Sequence, residues 1–328
     1  PWDIYTYYGD TRIIETNYDA MADWVAYMRE NAKDGLYGYE CFGDWVAVES
    51  SPKKPIAGAY QFLSTKRLAA MARAIGKAGE ADALEREAAE IAARFHQRYF
   101  DDASNQYPGG TQTANLVPLW FGITPEEKRA AVIDNLARNI AAHDYHLTTG
   151  FIGTAYLMPG LSTFGLDEIA GRLATARTYP SWGYMAEQGA TTIWEQWDSN
   201  DFEKYCGGMN SFNHFTFGAV GQWYYEYLTG IRPLAPGFKR ILFEPHLEAA
   251  QWAKASFASM HGTIACSWKK EAGFAMDIKV PANTTALVKT PMPCDASLGP
   301  QDRRIVDADG NTSFEIGAGT YSFHESPQ

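Results

Sequence analysis

Apolar positions recur at helical spacing through the first two thirds of the chain and change to strict alternation near its end. Tyr18, Met21, Val25 and Met28 fall on one helical face, as do Leu84, Ala88, Ile91 and Phe95, where Glu90 and Arg94 add an i,i+4 pair. Each set predicts an amphipathic helix with one buried stripe. Thr124-Pro125-Glu126-Glu127 predicts a helix start: Thr124 caps, Pro125 takes the first helical position and Glu127 closes a capping box. Val132, Leu136 and Ile140 then form its apolar stripe. Another helix is expected over 55–77, ending near Gly76 and Gly79, while 150–161 and 211–228 are apolar enough for buried inner helices. Amphipathic segments alternating with apolar, aromatic ones predict two concentric layers of helices.

The period changes near Pro233-Leu234-Ala235-Pro236-Gly237, which marks a domain boundary. Beyond it Ile264, Cys266 and Trp268 alternate with polar or small residues, and so do Phe274, Met276, Ile278 and Val280, with Glu271-Ala272-Gly273 as the turn between them. This predicts a hairpin buried on one face. Short strands at 286–288, 305–306 and 319–323 complete an expected antiparallel sandwich over 237–328, after a helical domain over 1–232.

Composition narrows the function. A length of 328 residues is about two domains and can bury a core without staples. A net charge of -11 and the absence of any Lys/Arg run leave no cationic face for nucleic acid or a membrane surface, and no apolar run approaches a bilayer span. Cys41, Cys206, Cys266 and Cys294 lie far apart, without metal-site spacing, and read as isolated thiols rather than disulfides. No metal or organic cofactor is expected. Asn283 and Asn311 open Asn-x-Ser/Thr triplets that read as chance matches. Pro1 reads as a cut end. Aromatic residues make up 14% of the chain, enough to offer flat apolar surfaces of the kind that sugar rings use.

Three stretches gather carboxylates, aromatics and turn residues. In Gly43-Asp44-Trp45, followed by Glu49 and Ser50-Ser51-Pro52, Trp45 is either a hinge packed under a loop or a sugar platform. In Gly189-Ala190-Thr191-Thr192-Ile193-Trp194-Glu195-Gln196-Trp197-Asp198, Glu195 stands between two tryptophans, a setting that would desolvate it and favour its neutral form. Glu195 is the best candidate for a catalytic base; its alternative is a solvated residue at a helix end, with Trp194 and Trp197 serving as core. Glu187 and Asp198 are weaker candidates. Asn213-His214-Phe215 and His146-Leu147-Thr148-Thr149-Gly150-Phe151 each place a histidine at the start of an inner helix, either packed in the core or donating to a ligand hydroxyl. GxGxxG, Walker, GxSxG and HExxH motifs are missing from the sequence.

These stretches, in this order and together with Tyr179-Pro180-Ser181-Trp182-Gly183-Tyr184, resemble the bacterial α-L-rhamnosidases of glycoside hydrolase family 78 over nearly the whole chain. The resemblance implies an (α/α)6 six-hairpin barrel followed by an antiparallel β-sandwich, and hydrolysis of terminal α-L-rhamnose with inversion. It implies Glu195 as general base, Trp45 as an aromatic of the sugar subsite and His214 as a sugar contact, with Asp44, Trp194 and Trp197 in the same substrate-binding neighbourhood. The partner is then a rhamnose-containing oligosaccharide or glycoside, and the expected compartment is a bacterial cytoplasm or periplasm. Fewer helices are legible than the twelve of six hairpins, so the first helices and the general acid are expected in a segment upstream of Pro1, and the isolated chain is expected to be nearly inactive. Another helical-barrel glycosidase, or a non-catalytic carbohydrate-binding protein, would share the architecture.

Overall fold

A computed structural model describes residues 1–39, 42–206, 208–271, 273–306 and 312–326. Cys41, Asn311 and Ala272 of the expected turn lie outside the described residues. The chain divides into two compact units, 14–220, and 1–13 together with 221–328.

In the first unit helices alternate as the hydrophobic pattern requires. α2 (Arg12–Glu30), α4 (Ala78–Tyr99) and α6 (Glu126–Ala142) bury one stripe each: Tyr18, Val25 and Met28; Leu84, Ala88, Ile91 and Phe95; Val132, Leu136 and Ile140. α3 (Lys53–Ala74), α5 (Gln112–Phe121) and α7 (Phe151–Thr163) are buried over most of their surface. α3 packs on α4, α5 on α6, and α7 on α8 (Asp167–Thr175), while α5 touches both α3 and α7. Successive hairpins thus set their apolar helices side by side, which is why α3, α5 and α7 need no polar face. The short α9 (Trp182–Glu187) starts at Ser181, whose side chain caps the Tyr184 N–H.

Two helix expectations need correction. α6 begins one residue later than the capping box required: Pro125 holds the cap position with extended ψ, and Thr124 is buried with its hydroxyl against that of Tyr107 at 3.1 Å. The inner helix expected over 211–228 starts only at Thr216, as a 3-10 turn (Thr216–Ala219), and continues in short α and π turns to Leu228. The residues before it hydrogen-bond through their backbone to 193–195 instead.

The second unit carries two five-stranded sheets. One has β1 (Ile231–Pro233), β2 (Arg240–Phe243), β6 (Thr285–Lys289), β9 (Thr312–Ile316) and β8 (Arg303–Val306) in that order. The other has β3 (Trp252–Ser259), β4 (Gly262–Lys269), β5 (Ala275–Val280), β10 (Gly319–Glu325) and β7 (Cys294–Ala296). β2 and β6 pair in parallel, the one departure from the antiparallel pattern among the described strands. Both sheets feed one core, with Ile264, Cys266, Trp268, Met276 and Ile278 from the β4–β5 hairpin meeting Phe243, Val288 and Phe314. α1 (Trp2–Tyr8), expected with the helical domain, packs in this unit, with the Tyr7 ring 5.7 Å from Phe238 and 6.0 Å from Phe257. Cys206, Cys266 and Cys294 are free thiols. Asn283 sits at φ 61° and its carbonyl accepts from Lys239 Nζ at 2.7 Å.

Candidate active site

The first turn of α7 organises the site. Gly150, Ile152 and Gly153 present backbone N–H groups that α7 itself cannot satisfy, and the buried Asp44 carboxylate accepts all three. The same carboxylate accepts from Thr113 Oγ1 at 2.5 Å. Burial pushes its pKa up, and these hydrogen bonds oppose the rise. Asp44 was expected to bind sugar; its oxygens are instead committed to the chain's own donors, and its role is positional. It fixes Trp45, whose carbonyl accepts from Phe151 N at 2.9 Å. Gly150 is required here because a Cβ would lie 2.1 Å from the Trp45 carbonyl oxygen and 2.7 Å from Ala47 N. The Trp45 ring is 41% exposed and meets the more exposed Phe42 edge-on at 5.6 Å.

Gln112, fully buried at the start of α5, ties the segment before α7 in place, accepting from Thr148 N and donating to the His146 carbonyl. His146 is held on both nitrogens, Nε2 against Thr178 Oγ1 at 2.7 Å and Nδ1 against the Asp144 carbonyl at 3.0 Å.

The second part of the site is an irregular segment. Glu195 N donates to the Ser211 carbonyl at 2.9 Å and His214 N to the Ile193 carbonyl at 2.8 Å, so 193–195 and 211–214 run side by side. Asn210 Nδ2 holds the turn beyond Glu195 through the Ser199 carbonyl. Glu195 is buried, 4% exposed, yet among the described residues its carboxylate makes no hydrogen bond or ion pair. Glu187 and Asp198, the weaker candidates, are engaged: Glu187 with Arg177 at 2.5 Å, Asp198 with Lys204 at 2.8 Å and the Tyr205 hydroxyl at 2.6 Å.

Aromatic contacts join the two parts. The His214 ring stacks on Phe151 at 4.8 Å, Phe151 meets Phe217 edge-on at 5.4 Å, and Phe217 stacks on Trp197 at 3.9 Å. Thr216 N points at His214 Nδ1, which leaves the hydrogen of the neutral ring on Nε2, free to donate. Trp197 is 1% exposed and donates its indole N–H to the Thr149 carbonyl, while Trp194 is buried edge-on against Phe212. Both tryptophans, expected in the substrate-binding neighbourhood, are buried. Phe151, Gln112 and Thr113 were missed as site residues, because a side chain that bonds to the chain's own groups or stacks on a ring leaves no motif; Phe151 did stand in a quoted run. Among the described residues no group of His, Cys, Asp and Glu could hold a metal ion, and no helix is long and apolar enough to cross a membrane.

Residues 1–228 match the bacterial alpha-L-rhamnosidase 6 hairpin glycosidase domain and residues 230–302 the bacterial alpha-L-rhamnosidase C-terminal domain; the chain belongs to the bacterial α-L-rhamnosidase family. An α-L-rhamnosidase of Streptomyces avermitilis is 35% identical over 98% of the chain and 32% of its own length, and one of Formosa agariphila is 36% identical over 91% and 34%. The chain thus spans about a third of these relatives. The crystal structure of the Streptomyces avermitilis α-L-rhamnosidase complexed with L-rhamnose superposes with a TM-score of 0.93 at 34% identity, covering 99% of this chain and 32% of that one. The α-L-rhamnosidase of Dictyoglomus thermophilum gives 0.89 at 29% identity, covering 99% and 38%.

Proposed function

We propose that the chain supplies the base-bearing part of an inverting α-L-rhamnosidase, which removes terminal α-L-rhamnose from oligosaccharides or glycosides. The observation that carries this reading is Glu195, 4% exposed as a residue and with a carboxylate that no described group engages, on a backbone held by Ser211 and Asn210. Its lone pairs are left for a water. Glu195 takes a proton from that water as the water oxygen bonds to the anomeric carbon, opposite the breaking bond to the aglycone oxygen. A carboxylic acid about 6.5–9.5 Å away protonates the leaving oxygen, and the sugar is released as the β anomer. His214 donates through Nε2 to a sugar hydroxyl, and the Trp45 ring supports an apolar sugar face. The names of the relatives and the L-rhamnose bound to the Streptomyces avermitilis protein support the choice of sugar. With Asp44, Glu187 and Asp198 engaged by the chain's own donors, this reading assigns the acid to polypeptide outside these 328 residues. A bacterial cytoplasm or periplasm is the compartment proposed with it.

Hydrolysis of an aryl α-L-rhamnoside, with the anomer followed by NMR, tests the proposal. In the whole polypeptide β-L-rhamnose appears first, and Glu195→Gln lowers kcat about 100- to 10,000-fold with KM little changed. The 328-residue chain alone is close to inactive. Unchanged turnover in Glu195→Gln, or α-L-rhamnose released first, refutes it.

A further inference from the structure

We infer that Phe151 is a positioning residue of the sugar site: its ring sets the plane of the His214 imidazole and so aims Nε2–H at a hydroxyl oxygen of the bound sugar. The inference rests on the reading of His214 as a sugar contact and gives that contact a cause in the fold. Phe151 is itself held at both ends. The N–H groups of Gly150, Ile152 and Gly153 donate to Asp44 and that of Phe151 to the Trp45 carbonyl, so four consecutive amides at the head of α7 have fixed partners. At the ring, Phe217 meets Phe151 at 76° and stacks in turn on Trp197 at 3.9 Å and 21°. Phe217 is fully buried and its carbonyl accepts from Trp182 Nε1 at 2.9 Å, so this support belongs to the core.

A free imidazole turns about two torsions, the second of them broad and two-fold, so its polar edge sweeps a wide arc. His214 has lost that freedom. Phe151 covers one face at 4.8 Å with the planes 20° apart, and Phe215 stacks at 5.3 Å and 11°. Nearly parallel rings define a plane, but they do not distinguish the imidazole from its flipped form, in which nitrogens and carbons change places. Thr216 N–H makes that choice by pointing at Nδ1 at 3.4 Å, and the bond of 2.8 Å from His214 N to the Ile193 carbonyl fixes the backbone beneath. Nε2, on the far edge of the ring, is then held in one place, and among the described residues it has no partner. Ordering such a side chain before the ligand arrives is worth roughly two- to tenfold in affinity. With phenyl rings against it, the imidazole offers its edge donor and reads an acceptor oxygen at a single position.

Steady-state hydrolysis of an aryl α-L-rhamnoside by the whole polypeptide, in Phe151→Leu, His214→Ala and the double variant, tests the assignment. Phe151→Leu keeps the backbone bonds and an apolar side chain but removes the flat face; KM rises about three- to tenfold while kcat changes by less than about twofold. His214→Ala raises KM about tenfold, and Phe151→Leu adds nothing in that background. Phe151→Tyr, which keeps the ring, holds KM within about twofold of the wild type. Phe215→Leu, which leaves α7 untouched, raises KM about threefold and only while His214 is present, so the test does not depend on a helix variant alone. A merely structural role for Phe151 would show no such dependence on His214. Effects that multiply in the double variant, or a KM unchanged in both Phe151→Leu and Phe215→Leu, overturn the inference and leave His214 as a sugar contact. A KM unchanged in His214→Ala overturns both. Failure of Glu195 as the base is read separately, in the kcat of Glu195→Gln.

Discussion

Removing the Asp44 carboxylate probes the clamp around α7 most directly. Oδ1 accepts from Ile152 N at 2.8 Å and Gly153 N at 2.9 Å; Oδ2 accepts from Gly150 N at 2.8 Å and Thr113 Oγ1 at 2.5 Å. Asp44→Ala strands three N–H donors at a helix start. Each orphaned buried donor costs about 1–3 kcal/mol, and loss of a helix cap alone costs about 1 kcal/mol. Two effects offset this: burial already disfavours the charged carboxylate, and water can enter the space it leaves. The net loss expected is about 3–5 kcal/mol. Asp44→Asn keeps the Oδ1 pair but turns an amide against Gly150 N–H, so it should lose about half as much. Thr113→Val removes one bond and should lose about 1 kcal/mol. Urea unfolding followed by tryptophan fluorescence and far-UV circular dichroism, with slopes compared, measures all three. A loss below about 1 kcal/mol for Asp44→Ala, or equal losses for Ala and Asn, would refute the clamp.

Burial holds the His96 imidazole below its ordinary pKa, with the Tyr107 hydroxyl 3.1 Å from Nδ1 and the ring stacked on Phe100 at 4.4 Å. The unfolded chain therefore takes up this proton first. The stability owed to neutral His96 is present above the ordinary imidazole range and is lost as pH falls through the lowered value; His96→Gln should flatten that slope in pH-dependent melts, and an unchanged slope excludes the assignment. Native labelling with a maleimide, read by peptide mapping, should modify the exposed Cys206 and spare Cys266 and Cys294, which are buried, with the Cys294 thiol pushed up to about 11 by burial. Labelling of Cys266 without unfolding would contradict its place in the core.

Much of this architecture was legible because hydrophobic periodicity is local information. Tyr18, Val25 and Met28, or Ile264, Cys266 and Trp268, announce their elements by spacing alone, and both sets are buried as the pattern requires. The places where reading failed involve competition from distant partners. Thr124 caps nothing because the Tyr107 hydroxyl holds it, and 211–214 forms no helix because Ile193 and Glu195 pair with its backbone. The parallel β2–β6 pair brings together segments far apart in sequence, which alternation cannot reveal. At the site, Glu195 and Trp45 stood out by their neighbours, whereas Asp44 gave no sign that its oxygens would be consumed by α7. The burial of Trp194 and Trp197 was one of two readings that composition left open.

Trp45 hangs from the Phe151 amide, and His214 lies on the Phe151 ring, so a single residue carries both proposed sugar contacts. A slide or tilt of α7 would therefore act on the indole and the imidazole together. An engineer seeking room for a bulkier sugar would gain little by loosening that helix, and would have to trim the rings themselves.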